Sequence, residues 1–171
     1  MTRRTVAISA VASALLAVSA CSTTVTGTPS PKPRATSSSP SAGEALNALD
    51  ACTVLDQLLA GQGFDPGVSK TARNECHASK LEYGTLSLAL DPSQGLAEFE
   101  ASADAVTQFD LSGRRAVSGV PAGPGTCAVV LEVTEHARAM AGATMLAPER
   151  QAQACPAARE LATALEPLLP R

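Results

Sequence analysis

The chain has no tryptophan, one tyrosine (Tyr83), three phenylalanines and two histidines. Nucleic-acid surfaces interleave cations with rings on which bases stack, so a chain this poor in aromatics argues against that class of partner. Core bulk must come from aliphatic side chains instead. Apolar runs are short as well. The run over 6–18 is broken by Ser9 and Ser13 and falls short of the ~20 residues that a comfortable bilayer span needs. There is no His-Glu-x-x-His pair, no Gly-x-Ser-x-Gly elbow, no phosphate-binding glycine loop and no calcium-binding loop, so the common motif-borne metal, acyl-transfer and nucleotide chemistries lack their residues. No cofactor is expected.

What the sequence does contain is concentrated at its start. Arg3 and Arg4 precede the apolar run, and small residues then lead to Cys21. That order reads as a secretory signal over 1–20. Val18-Ser19-Ala20-Cys21 resembles the bacterial lipobox, in which the cysteine is lipidated and becomes the new N-terminus. The plainer alternative is an ordinary signal peptide with an incidental cysteine; the position of Cys21 at the expected cleavage point favours lipidation. Of the twenty-two residues at 22–43, fifteen are Ser, Thr or Pro. A segment of that composition buries too little apolar surface to offset chain entropy, so 21–43 is expected to be a disordered linker. It would reach ~25 Å as a flexible coil and up to ~70 Å as polyproline, which suits a stalk.

Charge divides between stalk and domain. Lys32 and Arg34 lie in the stalk, whereas all sixteen acids lie in 44–171 with nine Lys and Arg, a formal charge of −7. An acidic domain does not favour nucleic acid or an anionic lipid surface. Ten Arg against three Lys, with a single Ile, suggest a GC-rich coding sequence and hence an actinobacterium.

Four cysteines remain for the domain: Cys52, Cys76, Cys127 and Cys155. An even count in an exported chain implies disulfides. A zinc site would show cysteines two to four residues apart, and here no two are closer than twenty-four positions. Three pairings are open. Cys52–Cys76 with Cys127–Cys155 needs the least chain crossing and is favoured, each link contributing about 3–3.5 kcal/mol by closing a loop of roughly 25–30 residues.

Within 44–171 the patterning predicts an α+β domain with an antiparallel sheet of about five strands and helices packed on it. A first helix is expected over 50–61, with Ala51, Val54, Leu55, Leu58 and Leu59 on one face and Gly61 as its stop. Strands are expected over 75–82 and 85–90, turning at Tyr83-Gly84, with Leu86, Leu88 and Leu90 alternating inward. Asp91-Pro92-Ser93-Gln94 reads as a helix start, cap then proline, so a helix is expected to run to about Val106 and bury Leu96, Phe99 and Ala103. Strands follow over 114–120, 127–134 and 138–146. A last helix opens at Pro148 or Pro156, with Ala158, Leu161, Ala162, Leu165 and Leu169 buried and Arg159, Glu160, Thr163 and Glu166 facing water.

The series Cys52-Thr53-Val54-Leu55, a second cysteine two dozen residues on, Cys127-Ala128-Val129-Val130, and Cys155-Pro156-Ala157-Ala158 running to Leu168-Leu169-Pro170, behind a lipobox and a Ser/Thr/Pro stalk, resembles the actinobacterial lipoproteins grouped as domain of unknown function 3558. Where that family usually carries a tryptophan after the second cysteine, this chain has His77-Ala78. The resemblance implies a lipid-anchored surface protein and a sheet-and-helix sandwich similar to photosystem accessory proteins and nuclear-import cofactors. It implies no catalytic residues.

Residues that could carry chemistry each have a plainer role. His77 is a candidate base beside Cys76, against an ordinary half-buried histidine. Glu132, Glu135 and His136 gather at a hairpin, where a solvated turn outweighs a metal site. Glu98 with Glu100, and Asp104 with Asp110, are acid pairs; a glycosidase needs two carboxylates across a cleft, and Glu98 and Glu100 should point different ways. One of Arg114 and Arg115 should leave the core and could grip an anion, although a strand-edge charge that discourages aggregation is the commoner use. The expected function is therefore a non-enzymatic binding or interaction module, tethered through Cys21 to the outer face of the cell membrane, with an envelope protein or a small ligand as partner. A small-molecule or lipid carrier with an apolar cavity between sheet and helices is the alternative, and an envelope hydrolase the third reading.

Overall fold

Alternation of apolar side chains builds a six-stranded sheet in the computed structural model, which describes residues 41–171. The signal reading of 1–20, the lipidation site Cys21 and the linker up to residue 40 lie outside the described residues. The elements are α1 (Ala42–Asn47), α2 (Ala51–Leu59), β1 (Glu75–Lys80), β2 (Gly84–Asp91), α3 (Leu96–Glu100), β3 (Asp104–Leu111), β4 (Arg114–Val120), β5 (Thr126–Thr134), β6 (Ala137–Thr144) and α4 (Ala154–Leu165). Short 3-10 turns over Pro148–Gln153 and Glu166–Leu168 flank α4. Strand order is β1-β2-β6-β5-β4-β3, and every neighbouring pair is antiparallel. The α+β class and the helix-covered antiparallel sheet are as the patterning predicts, with one strand more.

One face of the sheet carries the main core. Leu86, Leu88 and Leu90 of β2, Val129 and Leu131 of β5, and a row of alanines at 139, 141 and 143 of β6 point there. The alanines are small because α4 lies directly over β5 and β6; Ala158, Leu161, Ala162 and Leu165 fill the space above them. Helix α2 covers β1 and β2 with Val54, Leu55 and Leu59. Leucines as deeply buried as Leu55, Leu88 and Leu165, each at 0% exposure, are worth about 1.5–3 kcal/mol apiece. Two disulfides staple these helices to the sheet: Cys52–Cys76 joins α2 to β1, and Cys127–Cys155 joins β5 to α4, with Cα separations of 5.0 and 4.9 Å. This is the near-neighbour pairing.

The opposite face is covered only in part. The five-residue α3 seats Leu96 and Phe99 on Val117, Ala128 and Val130. Over β1, β2 and β6 the same face presents His77, Ser79, Thr85, Ser87 and Gly142, and a Cβ at Gly142 would collide with the Ser87 hydroxyl.

Three expectations are corrected. First, the linker does not extend to residue 43: Ser41 caps α1, its hydroxyl accepting from Glu44 N at 3.3 Å while Glu44 Oε2 accepts from Ser41 N at 2.8 Å, a reciprocal capping box. Second, the helix expected from Asp91 to Val106 spans only Leu96–Glu100. Asp91 ends β2 and its carboxylate takes Ser93 N and Oγ at 2.9 and 2.8 Å, closing an Asx turn that forestalls a helix cap. The residues from Asp104 onward form β3, the sixth strand. Third, Glu166 does not face water. It is buried against Arg114.

Candidate functional site

The largest polar recess described lies on the partly covered face, at the end of the sheet where β1 begins and β2 ends. It encloses about 460 Å³ between Arg73, Asn74 and Glu75 on one wall and Asp91, Ser93, Gln94 and Arg138 on the other, over Ala89 and Met140. Local bonding sets each wall. Asn74 accepts from Ala51 N at 2.9 Å and donates to Leu49 O at 2.7 Å, tying the approach to β1 against the start of α2. Glu75 accepts from the Thr71 hydroxyl at 2.8 Å. Arg138 donates to Gly95 O at 2.9 Å and Gln94 Oε1 at 2.6 Å, fixing the loop that leads into α3. Two cations and two acids thus face one recess, with their hydrogen bonds largely made to the walls. Such a recess can bind a small polar molecule or a loop of a partner; the Ser93 hydroxyl bonded to Asp91 there belongs to the Asx turn, and neither histidine nor cysteine is among the residues that line it.

The residues singled out in the sequence are dispersed. His77 is half-buried on β1, and His136 is exposed in the turn between β5 and β6, so the two do not share a site. Glu98 Oε2 accepts from Gly95 N at 2.9 Å and thereby caps α3. Glu100 Oε1 accepts from Gln108 Nε2 at 2.7 Å. The two carboxylates therefore serve different elements. Asp110 accepts from Gly113 N at 2.8 Å in the β3–β4 turn, while Asp104 is exposed at the head of β3. Glu132 pairs across strands with Arg115 at 2.8 Å, apart from the exposed Glu135 and His136. Among the described residues no three His, Cys, Asp or Glu side chains group closely enough to hold a metal ion.

Arg115 is the arginine that leaves the core. Arg114 turns inward; strand alternation sends one of the pair there, but its partner is not legible in the sequence. Arg114 Nε donates to Glu166 Oε1 at 3.3 Å, Nη1 to Glu132 O at 2.7 Å and Nη2 to Pro170 O at 3.0 Å. Arg171 Nη2 lies 2.8 Å from the same Glu166 oxygen. The cluster fastens the C-terminal residues beneath the β4–β5 end of the sheet, a structural use of buried charge.

Two carboxyls are held below their ordinary ranges. The backbone N–H and then the hydroxyl of Thr53 stabilise Asp50 as an anion, and those of Ser41 do the same for Glu44. Both serve helix caps.

A seam between α2 and α4, lined by Leu58, Leu59, Tyr83, Leu86 and Leu161, holds about 80 Å³, room for a few waters at most. No family model, curated protein or solved structure matches this chain.

Proposed function

We propose that this protein is a lipoprotein held by acylated Cys21 on the outer face of the cytoplasmic membrane, where its α+β domain acts as a non-enzymatic binding or interaction module. The lipobox-like sequence Val18-Ser19-Ala20-Cys21 behind an apolar run carries the reading. The two disulfides agree with it, because such links persist in oxidising compartments. The acidic domain is repelled by anionic lipid, so a lipid tether and a stalk are the means that keep it at the surface. Two or three acyl chains anchor stably where one is marginal. The order and spacing of the cysteine motifs is the feature shared with the actinobacterial lipoprotein family.

The module reading is preferred to an enzyme because the polar recess gathers charge without a histidine or cysteine, its one hydroxyl-carboxylate pair, Ser93 with Asp91, being spent on a turn, and to an apolar carrier because the seam between the helices is water-sized. Metabolic labelling with an alkyne fatty acid, followed by membrane fractionation, tests the anchor. Labelled protein in the membrane fraction, with label and sedimentation both lost in Cys21→Ala, is the expected result. An unlabelled product that begins at Met1 would overturn the reading.

A further inference from the structure

Strand β3 is an edge with a defined set of unused main-chain groups. The turn joining it to β4 has two residues, Ser112 (φ 56°) and Gly113 (φ 84°), both left-handed. That geometry makes Leu111 and Arg114 the closing hydrogen-bonded pair. Ladder bonds alternate along an antiparallel pair, so Leu111, Phe109 and Thr107 direct their N–H and C=O groups at β4. Gln108 and Asp110 direct theirs away from the sheet, and among the described residues no backbone group meets them.

Side chains along this edge sort by chemistry. On the α3 side stand Gln108 and Asp110, with Glu100 bound to Gln108. Arg115, across from Asp110 in the register, is already engaged by Glu132. A depression of about 250 Å³, lined in part by Leu96, Gln108, Asp110 and Arg115, runs beside the edge on this side. On the other side Phe109 and Leu111 are half-buried, with the Arg159 guanidinium 3.9 Å from the Phe109 ring centre. Along this edge Asp104, Asp110 and Glu100 outnumber the single arginine on the α3 side, Arg115, which Glu132 already holds, so two copies of the edge would bring like charge together and a basic segment is the favoured occupant.

We propose that the β3 edge accepts an extended basic segment of a partner protein as a seventh, antiparallel strand. Main-chain bonds form with Gln108 and Asp110. Lysine or arginine side chains of the segment lie on the α3 side near Asp110 and Glu100, and its apolar side chains lie against Phe109 and Leu111. This goes beyond the membrane reading and does not depend on it, since it concerns the domain wherever the domain resides.

The test uses the purified full-length protein with both disulfides formed and a labelled, end-blocked heptapeptide alternating valine and lysine, followed by fluorescence anisotropy. Saturable binding that weakens at least tenfold when glutamate replaces lysine, and that weakens with added salt, is expected. In antiparallel register the lysines stand opposite Gln108 and Asp110. N-methylation of the lysine nitrogens should therefore abolish binding, and N-methylation of the valine nitrogens should spare it. Gln108→Pro removes one outward N–H at a position where an edge strand tolerates proline, and should cost at least tenfold in affinity with the thermal transition preserved. Asp110→Asn keeps the acceptor for Gly113 and should cost about threefold with a shallower salt dependence. Equal binding of the lysine and glutamate peptides, or indifference to which nitrogens are methylated, would overturn the proposal. So would concentration-dependent dimerisation that is abolished by Gln108→Pro, which would assign the edge to a second copy.

Discussion

The two edges of the sheet are finished in opposite ways. At β1 the chain doubles back before the strand begins. Val68 and His77 exchange hydrogen bonds at 2.9 and 3.0 Å, and Asp65 N reaches Ser79 O at 2.8 Å, so an irregular segment covers the edge. Gly67 N is held by Asp56 of α2 at 2.7 Å, and Cys76 is bonded to Cys52 of the same helix. At β3 nothing comparable is described. That strand is exposed along most of its length and carries a register shift between Asp104 and Thr107, with Ala105 at φ 51°. A bulge and acidic side chains discourage indiscriminate pairing without closing the edge. One edge is therefore stapled covalently and capped. The strand next to the other edge is fastened to the helical layer by Arg114 and Glu166 alone among the described ion pairs.

The largest effect should come from that non-covalent fastening. Arg114→Met leaves Glu166 buried with only the exposed Arg171 as a charged partner, and strips donors from Glu132 O and Pro170 O. Removing one member of a buried pair costs about 3–5 kcal/mol, read as a fall in the urea midpoint at unchanged slope. Arg114→Met combined with Glu166→Leu should regain a large part of that loss, because the uncompensated charge is gone. A double variant as unstable as the single one would mean that the backbone contacts, not the charge, are decisive.

Opening the staple on the other edge comes next. Cys52→Ala with Cys76→Ala releases a loop of sequence separation 24, a loss of about 3.5 kcal/mol in the chain-entropy model. The same double variant should erase the contrast between the edges. In the intact protein, hydrogen exchange at His77 N, bonded to Val68 O, is expected to be slow, whereas Gln108 N and Asp110 N exchange fast. Without the disulfide the β1 edge should move towards the β3 rates, while β5 and β6, held by Cys127–Cys155, stay protected.

The same asymmetry decided what could be read in advance. Strands β2 and β5 were legible because Leu86, Leu88, Leu90, Val129 and Leu131 alternate against a buried face. Strand β3 was not, because an exposed edge has no apolar row to announce it. Leu96, Phe99 and Ala103 even share a helical spacing that runs on into it. Helix α3 in fact stops where the Ser102 hydroxyl donates to the carbonyls of Glu98 and Phe99 at 3.0 and 3.1 Å, a competition that periodicity does not weigh. The Ser41-x-x-Glu44 box is a readable start for α1, masked by the serine-rich run that leads into it. Glu166 lies four residues beyond the buried Ala162, on the margin of the apolar stripe. Its partner Arg114 is fifty-two positions away, and no local pattern carries a contact that distant. The polar recess was equally hidden, since Arg73, Asp91 and Arg138 meet only through strand pairing.

The smallest expected effect sharpens the covered edge itself. Helix α2, which carries Cys52, starts at Asp50, whose Oδ1 accepts from Thr53 N and the Thr53 hydroxyl, each at 2.8 Å. Those bonds favour the anion, so the folded-state pKa lies below the ordinary aspartate value of about 3.9. A carboxyl with a depressed folded pKa adds stability above its unfolded pKa and surrenders it as pH falls through the folded value. The contribution should therefore be complete at neutral pH and fade between the ordinary value and the lower folded one. Asp50→Asn retains a capping oxygen and removes the charge, so its stability should lose this acid-side slope, with Glu44 and the other carboxyls supplying what remains. Asp50→Ala lacks the cap at every pH and should show faster exchange at Thr53 N even at neutrality. If wild type and Asp50→Asn trace the same stability curve below pH 4, the bond from Thr53 is not what holds the carboxylate in its anionic form.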